Sequence, residues 1–213
     1  MFVTFEGIEG SGKSTALKAL AEELKAGGER VFVTREPGGC DLGLALRALL
    51  LDARKGPLSP RAELFLFLAD RAQHVAHAIR PALEAGEIVL CDRFTDSTLA
   101  YQGGARGIDA AELRRLNAMA TGGLAPDLTL LFDLPVETGL ARAARRNRAE
   151  GTIESEGRFD AEKTAFHQKV RDGYLRLAAG EPERFVIIDA SAAADAVVRQ
   201  CRMALAERAG RKA

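Results

Sequence analysis

Five short apolar runs punctuate the chain: FVTFE at 2–6, RVFVT at 30–34, IVLCD at 88–92, DLTLLFD at 127–133 and RFVIID at 184–189. Their apolar residues stand at consecutive positions, not only alternate ones, which predicts strands buried on both faces. Between the runs the period lengthens to that of a helix. In KSTALKALAEELKA, Leu17, Leu20, Ala21 and Leu24 fall on one stripe, and Gly27-Gly28 supplies the stop. Strand and helix alternate throughout, so the expected class is α/β: a five-stranded parallel sheet with helices on both faces, its ligands gathered at the carboxyl ends of the strands. Two stretches break the rhythm. Residues 35–71 carry REPGG and a long helical pattern, and 143–160 is polar and dense in charge; both read as mobile flaps. No internal repeat or low-complexity tract is found, and the last six residues, RAGRKA, read as a disordered tail.

Composition narrows this picture. With 213 residues, 47% of them hydrophobic, the chain suits one domain spanning 1–213 with a full core. Thirty basic and thirty acidic side chains cancel, which argues against nucleic acid or an anionic membrane as partner and makes any charged cluster a local device. No basic leader opens the sequence and no run of about 18 apolar residues occurs, so a cytoplasmic location is expected. Cys40, Cys91 and Cys201 are few and far apart, fitting reduced thiols rather than a disulfide framework or a CxxC metal pair.

The chemistry begins at EGIEGSGKST, residues 6–15. Its spacing satisfies GxxxxGK(S/T) between a strand and a helix, the signature of a phosphate-binding loop. Backbone N–H groups along Gly7, Ile8, Glu9, Gly10, Ser11, Gly12, Lys13, Ser14 and Thr15 can wrap a β-phosphate, with the positive end of the next helix behind them. Lys13 adds a charge for the β- and γ-phosphates, and Ser14 offers a hydroxyl to Mg²⁺. Glu9 is the oddity, a carboxylate inside an anion cradle. The loop alone leaves the class open among a GTPase switch, an ATP-driven motor and a small-molecule kinase.

Other residues sharpen the choice. Asp92 ends an apolar strand at the ligand edge, where a carboxylate can hold Mg²⁺ through water, and Arg93 beside it presents a planar fork suited to phosphate; a mutual surface pair is the plain alternative. Phe67 and Arg71 lie four apart on one helical face, a possible clamp for a pyrimidine or simply core. Ser97, Thr98, Tyr101 and Gln102 read equally as site residues or as a polar helix surface. EPGG at 36–39 is strong turn chemistry. The stretch 141–160 holds Arg142, Arg145, Arg146, Arg148 and Arg158, either a solvated helix end or a lid whose arginines neutralise charge on a transferred phosphoryl group. His74 and His77 lie three apart and His167 stands alone, too few for a metal site, and none is assigned a catalytic role.

TREPGG at 34–39, RPALEAGEIVLCDR at 80–93 and DRFTDSTLAYQGGARG at 92–107 together resemble the bacterial thymidylate kinases, from the first strand to about Asp189. The resemblance implies a P-loop nucleoside monophosphate kinase fold, Mg²⁺-dependent transfer of the γ-phosphate of ATP to dTMP, an acceptor region at about 35–107, a lid at about 143–160, and a homodimer. It further implies that Arg93 meets the acceptor phosphate and Asp92 lies near the metal. Phe67 would stack on thymine and Arg71 bond its exocyclic oxygen, with Ser97 and Thr98 near the N3 edge. Tyr101 would pack near the sugar 2′ carbon, where it would crowd a ribose hydroxyl, with Gln102 assisting. The loop at Pro37 would lie against the acceptor, with Glu36-Pro37 cis and Arg35 reaching toward phosphate. Arg158 would be the lid arginine, helped by Arg145, Arg146 and Arg148, and Arg142 would stack on adenine. Glu9 would bond the sugar 3′-hydroxyl. Two features depart from the family pattern: the lid is longer between Arg148 and Arg158, and Asp160 stands where the family carries Glu. The rival readings are a deoxynucleoside kinase, against which the paired Arg35 and Arg93 speak, and another nucleoside monophosphate kinase of the same fold. A GTP switch lacks its NKxD motif here.

Overall fold

The computed structural model describes residues 1–210 of the chain. Five parallel strands, β1 (Phe2–Glu6), β2 (Val31–Arg35), β3 (Ile88–Asp92), β4 (Leu128–Asp133) and β5 (Phe185–Asp189), form one sheet in the order β2-β3-β1-β4-β5. The expected strand runs coincide with these to within one residue at either end. Apolar side chains alternate between the two faces. Val3, Phe5, Leu90, Leu128 and Leu130 join one large cluster, while Phe2, Val89 and Cys91 join a second. The edge strands alone leave large apolar side chains open, at Val33 and Ile187.

Helix α1 (Lys13–Ala26) follows the glycine-rich loop and presses Ala16, Leu17, Leu20 and Ala21 into the larger cluster. After β2 come α2 (Asp41–Leu51), a 3-10 turn at 53–55, and α3 (Pro60–His74), whose start is set by Pro60 and by Ser59 accepting from the Ala62 N–H at 3.3 Å. α3 continues through a π-helical turn at 75–79 into α4 (Arg80–Glu84), laying Val75, Ile79 and Ala82 on the second cluster. Beyond β3, α5 (Thr95–Thr98) likewise passes into a π-helical segment at 99–105. α6 (Ala110–Thr121) is capped by Asp109, which accepts from Glu112 N–H at 2.9 Å. α7 (Val136–Glu150), α8 (Ile153–Glu156), α9 (Thr164–Gly180) and α10 (Ala194–Gly210) complete the chain.

α10 corrects one expectation. Arg208–Gly210, read as part of a disordered tail, are its last helical turn, and residues 211–213 of that tail lie outside the described residues. The supposed flaps are likewise largely helical, α2 and α3 in one and α7 and α8 in the other. No described helix is long and apolar enough to cross a membrane.

The strand order fixes where a ligand must sit. β1 lies between β3 and β4, so the chain winds outward to opposite sides from it, and the loop that leaves β1 opens into the crevice at that switch.

Candidate active site

At the carboxyl end of β1 the backbone turns into a cradle, with positive φ at Gly7, Gly10 and Gly12. The reason at Gly10 is steric as well: a Cβ there would stand 2.0 Å from the Gly139 carbonyl oxygen of α7. Lys13 folds back over the loop, donating to the carbonyls of Gly7 (3.0 Å) and Ile8 (2.8 Å) and to Ser11 Oγ (3.1 Å). Burial, with the Arg93 charge behind it, pushes its ammonium down to about 8. A successive set of N–H groups and a buried ammonium at a helix start suit polyphosphate.

The loop forms one wall of a cleft of about 670 Å³, a size suited to small molecules. Glu9, Gly10, Lys13, Ser14, Arg35, Pro37, Phe67, Arg71, Asp92, Arg93, Ser97, Thr98, Tyr101 and Gln102 all line it, so most of the residues singled out from sequence converge on one space. Ser14 Oγ donates to Asp92 Oδ2, joining the loop to the end of β3. A hydroxyl and a carboxylate side by side are hard oxygen donors of the kind Mg²⁺ takes alongside phosphate oxygens and water. Among the described residues no group of three or more His, Cys, Asp or Glu side chains could hold a metal by itself.

Arg93 follows with φ 73°, a left-handed conformation uncommon outside glycine and typical of functional positions. Its guanidinium donates to Glu9 Oε1 (3.2 Å), Ser97 Oγ (3.2 Å) and Tyr174 Oη (3.2 Å), and lies 5.1 Å from the Tyr101 ring centre. Glu9 also accepts from Tyr101 Oη at 2.5 Å and from His167 Nδ1 at 3.1 Å. Burial would raise the Glu9 carboxyl, but the His167 hydrogen bond and the Arg93 charge hold it well below the usual carboxylate range.

Deeper in the cleft Arg71 is 1% exposed. Its Nε donates to Glu36 Oε2 (2.8 Å), Nη1 to Thr98 Oγ1 (2.8 Å) and Asn117 Oδ1 (2.7 Å), and Nη2 to the Phe94 carbonyl (3.0 Å). Four of its five N–H groups are thus engaged, and one on Nη2 is left at the cleft wall. Glu36, ahead of a cis bond to Pro37, also binds His74 Nδ1 at 3.0 Å, and His74 Nε2 meets Thr34 Oγ1 at 2.7 Å. Phe67 lies one helical turn before Arg71, its ring tilted 43° against Phe159. Gln102 donates to the buried Glu63 at 2.9 Å.

Four expected residues lie elsewhere: Arg158, Arg142, Arg145 and Arg148, the last exposed on α7 and not on the cleft wall. Arg158 is not on the cleft wall: it donates to the Leu50 carbonyl (2.8 Å) and to Glu63 Oε2 (2.6 Å), binding the 157–163 connection to α2 and α3. Arg146 is the arginine of 141–160 that lines the cleft, beside Glu150, Phe159 and Asp160. Arg142 donates to the Ala190 carbonyl at 2.9 Å and flanks a separate shallow depression on α7 with Arg145.

Several contributors escaped the sequence reading. Glu6, the residue before the loop, accepts from Phe94 N–H (2.7 Å), Ser97 Oγ (2.6 Å) and Tyr174 Oη (2.8 Å), and burial followed by the Asp96 charge raises it to about 7. Its signal was the one that flagged Asp92: an acid at the end of an apolar strand. His167 and Tyr174, seven apart on α9, share a face that points at the cleft.

Comparison with known proteins agrees with this geometry. A family model described as Thymidylate kinase matches residues 5–201. The thymidylate kinase of Desulfovibrio desulfuricans is 66% identical over 205 residues, covering 96% of this chain and 94% of the relative. That of Solidesulfovibrio magneticus is 60% identical over 197 residues, with 92% and 94% covered. The crystal structure of thymidylate kinase from Ehrlichia chaffeensis is similar with a TM-score of 0.76 at 34% identity, covering 96% of this chain and 97% of that one.

Proposed function

The chain belongs to the thymidylate kinase family and phosphorylates dTMP to dTDP, and from that premise we propose ATP as the donor, Mg²⁺ as its ion, and the roles below for individual residues. The observation that carries the assignment is the junction at the end of β3. Asp92 is bonded to Ser14 of the phosphate loop, while the next residue, Arg93, reaches the Glu9 side chain and Ser97 of α5. Consecutive residues would therefore serve the donor and the acceptor, and this junction supports a meeting point for the two phosphates beside it.

On the donor side, N–H groups of Gly7–Thr15 and the Lys13 ammonium would hold the polyphosphate, with Arg142 against the adenine. Ser14 and Asp92 would hold Mg²⁺, which when bound offsets charge on the β- and γ-phosphates. On the acceptor side, Phe67 would stack on thymine and the spare Arg71 N–H would meet its exocyclic oxygen. Ser97 and Thr98 serve chiefly to orient Arg93 and Arg71, judging by their bonds. Tyr101 and Gln102 would close the sugar side, and Pro37 with Arg35 the outer wall. Glu9 has about four lone-pair sites and accepts three hydrogen bonds, which leaves one for the 3′-hydroxyl. Arg93 uses three of its five N–H groups and keeps two for the acceptor phosphate.

Transfer then needs positioning and charge neutralisation rather than a general base, because the acceptor phosphate oxygen is already anionic. Arg146 from the cleft wall supplies charge on the lid side. Arg158 would join it only on leaving Glu63, so the 143–160 segment closes by exchanging that carboxylate for the phosphoryl group. The working unit would be the single domain 1–213 with its acceptor region at 35–107. We assign a homodimer through the outer faces of α2, α3 and α6, supported by exposed Leu42, Leu44, Leu49, Phe65 and Met119.

A coupled ADP-release assay with Mg²⁺ and ATP across dTMP, dUMP, dCMP, dGMP and thymidine tests the reading. Turnover is expected to be greatest on dTMP. Greatest turnover on thymidine, the mark of a deoxynucleoside kinase, or none on dTMP, would refute it.

A further inference from the structure

His167 has no assigned part in the reaction, yet it is fully buried on α9 with Nδ1 3.1 Å from Glu9 Oε2. The other oxygen of that carboxylate is held by Tyr101 and Arg93. His167 Nε2 is buried with no hydrogen bond of standard geometry, although the Phe159 backbone lies close enough to favour the charged ring. A ring kept only for packing would not carry that penalty, since Phe or Leu would fill the space without stranding a polar atom. We propose that His167 is a positioning residue for the acceptor: it fixes Glu9 Oε2, so that the unclaimed lone pair of the carboxylate faces the acceptor sugar hydroxyl. The inference rests on the assignment of Glu9 to that hydroxyl. It ties the acceptor site to α9, whose start follows directly on the 143–160 segment.

The charged and titratable groups facing the pair are Arg93, Tyr101 and Lys13 beside Glu9, and Asp160 from the connection before α9. Burial opposes a charge on His167, but the Glu9 hydrogen bond and charge, then Asp160 and the Phe159 backbone, raise it above its ordinary value. Glu9 is depressed and stays ionised throughout the neutral range. The raised imidazole therefore contributes its charge fully below its ordinary value and loses it as pH rises through the raised one. The hold on the acceptor weakens on the alkaline side.

The test compares His167→Leu, His167→Asn and Glu9→Gln in the full chain. KM for dTMP is read at saturating Mg²⁺ and ATP, with KM for ATP, kcat and Tm alongside. His167→Leu should raise KM for dTMP about tenfold, the loss of a hydrogen bond to a charged group, with KM for ATP unchanged. His167→Asn, whose amide N–H stands where Nδ1–H was, should restore most of it at neutral pH and abolish the alkaline rise expected of the parent. Should His167→Leu not fold, the Asn variant and the parent pH profile carry the test. An unchanged KM for dTMP in His167→Leu beside a raised one in Glu9→Gln would overturn the inference and leave Glu9 in place. No effect of Glu9→Gln would remove both. Equal rises in both KM values with a fallen Tm, or an Asn variant no better than Leu, would reduce His167 to a structural part.

Discussion

Arg71→Ala separates the architectural job of one buried guanidinium from the recognition job proposed for it. The first is architectural. The side chain is 1% exposed and holds Glu36, Thr98, Asn117 and the Phe94 carbonyl together. Removing it leaves the Glu36 carboxylate, itself 3% exposed, with only His74 for company. Breaking one side of a buried ion pair costs about 3–5 kcal/mol. At roughly 2–4 °C per kcal/mol for a chain of this size, Tm should fall by about 6–20 °C. The second job is recognition. The remaining Nη2 N–H would donate to the O4 of thymine, whereas cytosine would present an amino donor to the same donor. A charge-assisted hydrogen bond is worth about 1.5–3 kcal/mol, and tenfold corresponds to about 1.4, so dTMP should lose about 10–100-fold of its advantage over dCMP. The two effects are separable because the ratio of kcat/KM for dTMP to that for dCMP, taken on one preparation, cancels the fraction of active enzyme. The coupled assay is run well below the lowered Tm, which is measured by thermal melting. A ratio that holds while Tm falls would make Arg71 purely architectural and refute the recognition argument.

Four further outcomes follow from the same geometry. Lys13 sits at about 8, below an ordinary lysine, so its charge is present in acid and lost as pH rises through that value; KM for ATP, measured at saturating dTMP, should climb above it, and a flat profile well past it would contradict the role. Gly10→Ala puts a Cβ 2.0 Å from the Gly139 carbonyl oxygen at a φ of +68°; the loop must move, with KM for ATP up by about tenfold or more for each 1.4 kcal/mol of lost cradle geometry, and an unaltered KM would mean that the backbone cradle is not the donor site. Asp92→Asn removes a charged oxygen donor beside Ser14, so half-maximal activity should require several-fold more Mg²⁺ in a titration at fixed ATP, and an unshifted titration would take Asp92 out of the ion's surroundings. Phe65→Glu charges a side chain 58% exposed on the outer face of α3; on the proposed dimer, sedimentation should find the parent dimeric and the variant monomeric, an intact variant dimer would move the interface elsewhere, and a monomeric parent would refute the dimer.

What sequence could reveal follows from how far apart the determining residues lie. The strands were legible because burial on both faces writes itself locally as consecutive apolar residues, and the phosphate loop because its spacing is contained in ten positions. Phe67 and Arg71 were legible as a pair because helical spacing is local too. The acid network around them was not. Glu36 sat inside a turn signal, and its bonds to Arg71 and His74 span 35 and 38 positions; nothing local distinguishes a buried paired carboxylate from a solvated one. The same distance effect hid the partner of Arg158, since Glu63 lies 95 positions away, and made Arg146, one of several arginines in a charge-dense stretch, indistinguishable from its neighbours. His167 was hidden by its solitude in sequence, although its spacing from Tyr174 puts both on the buried face of α9.

Glu9 resolves in the same terms. A carboxylate among phosphate-binding N–H groups would oppose their field if it faced the same way as the backbone. Its three donors instead come from the residue after β3, from the π-helical segment 99–105 and from α9: Arg93, Tyr101 and His167. Those bonds draw the side chain out of the cradle while its own backbone stays in the loop, with the Glu9 carbonyl packed so close to α7 that a Cβ on Gly139 would stand 2.6 Å from it. On the proposed assignment, backbone and side chain of one residue would thus address different substrates. A shift of the loop on taking up polyphosphate would therefore displace the carboxylate relative to Arg93, and donor binding and acceptor alignment would be coupled through a single residue.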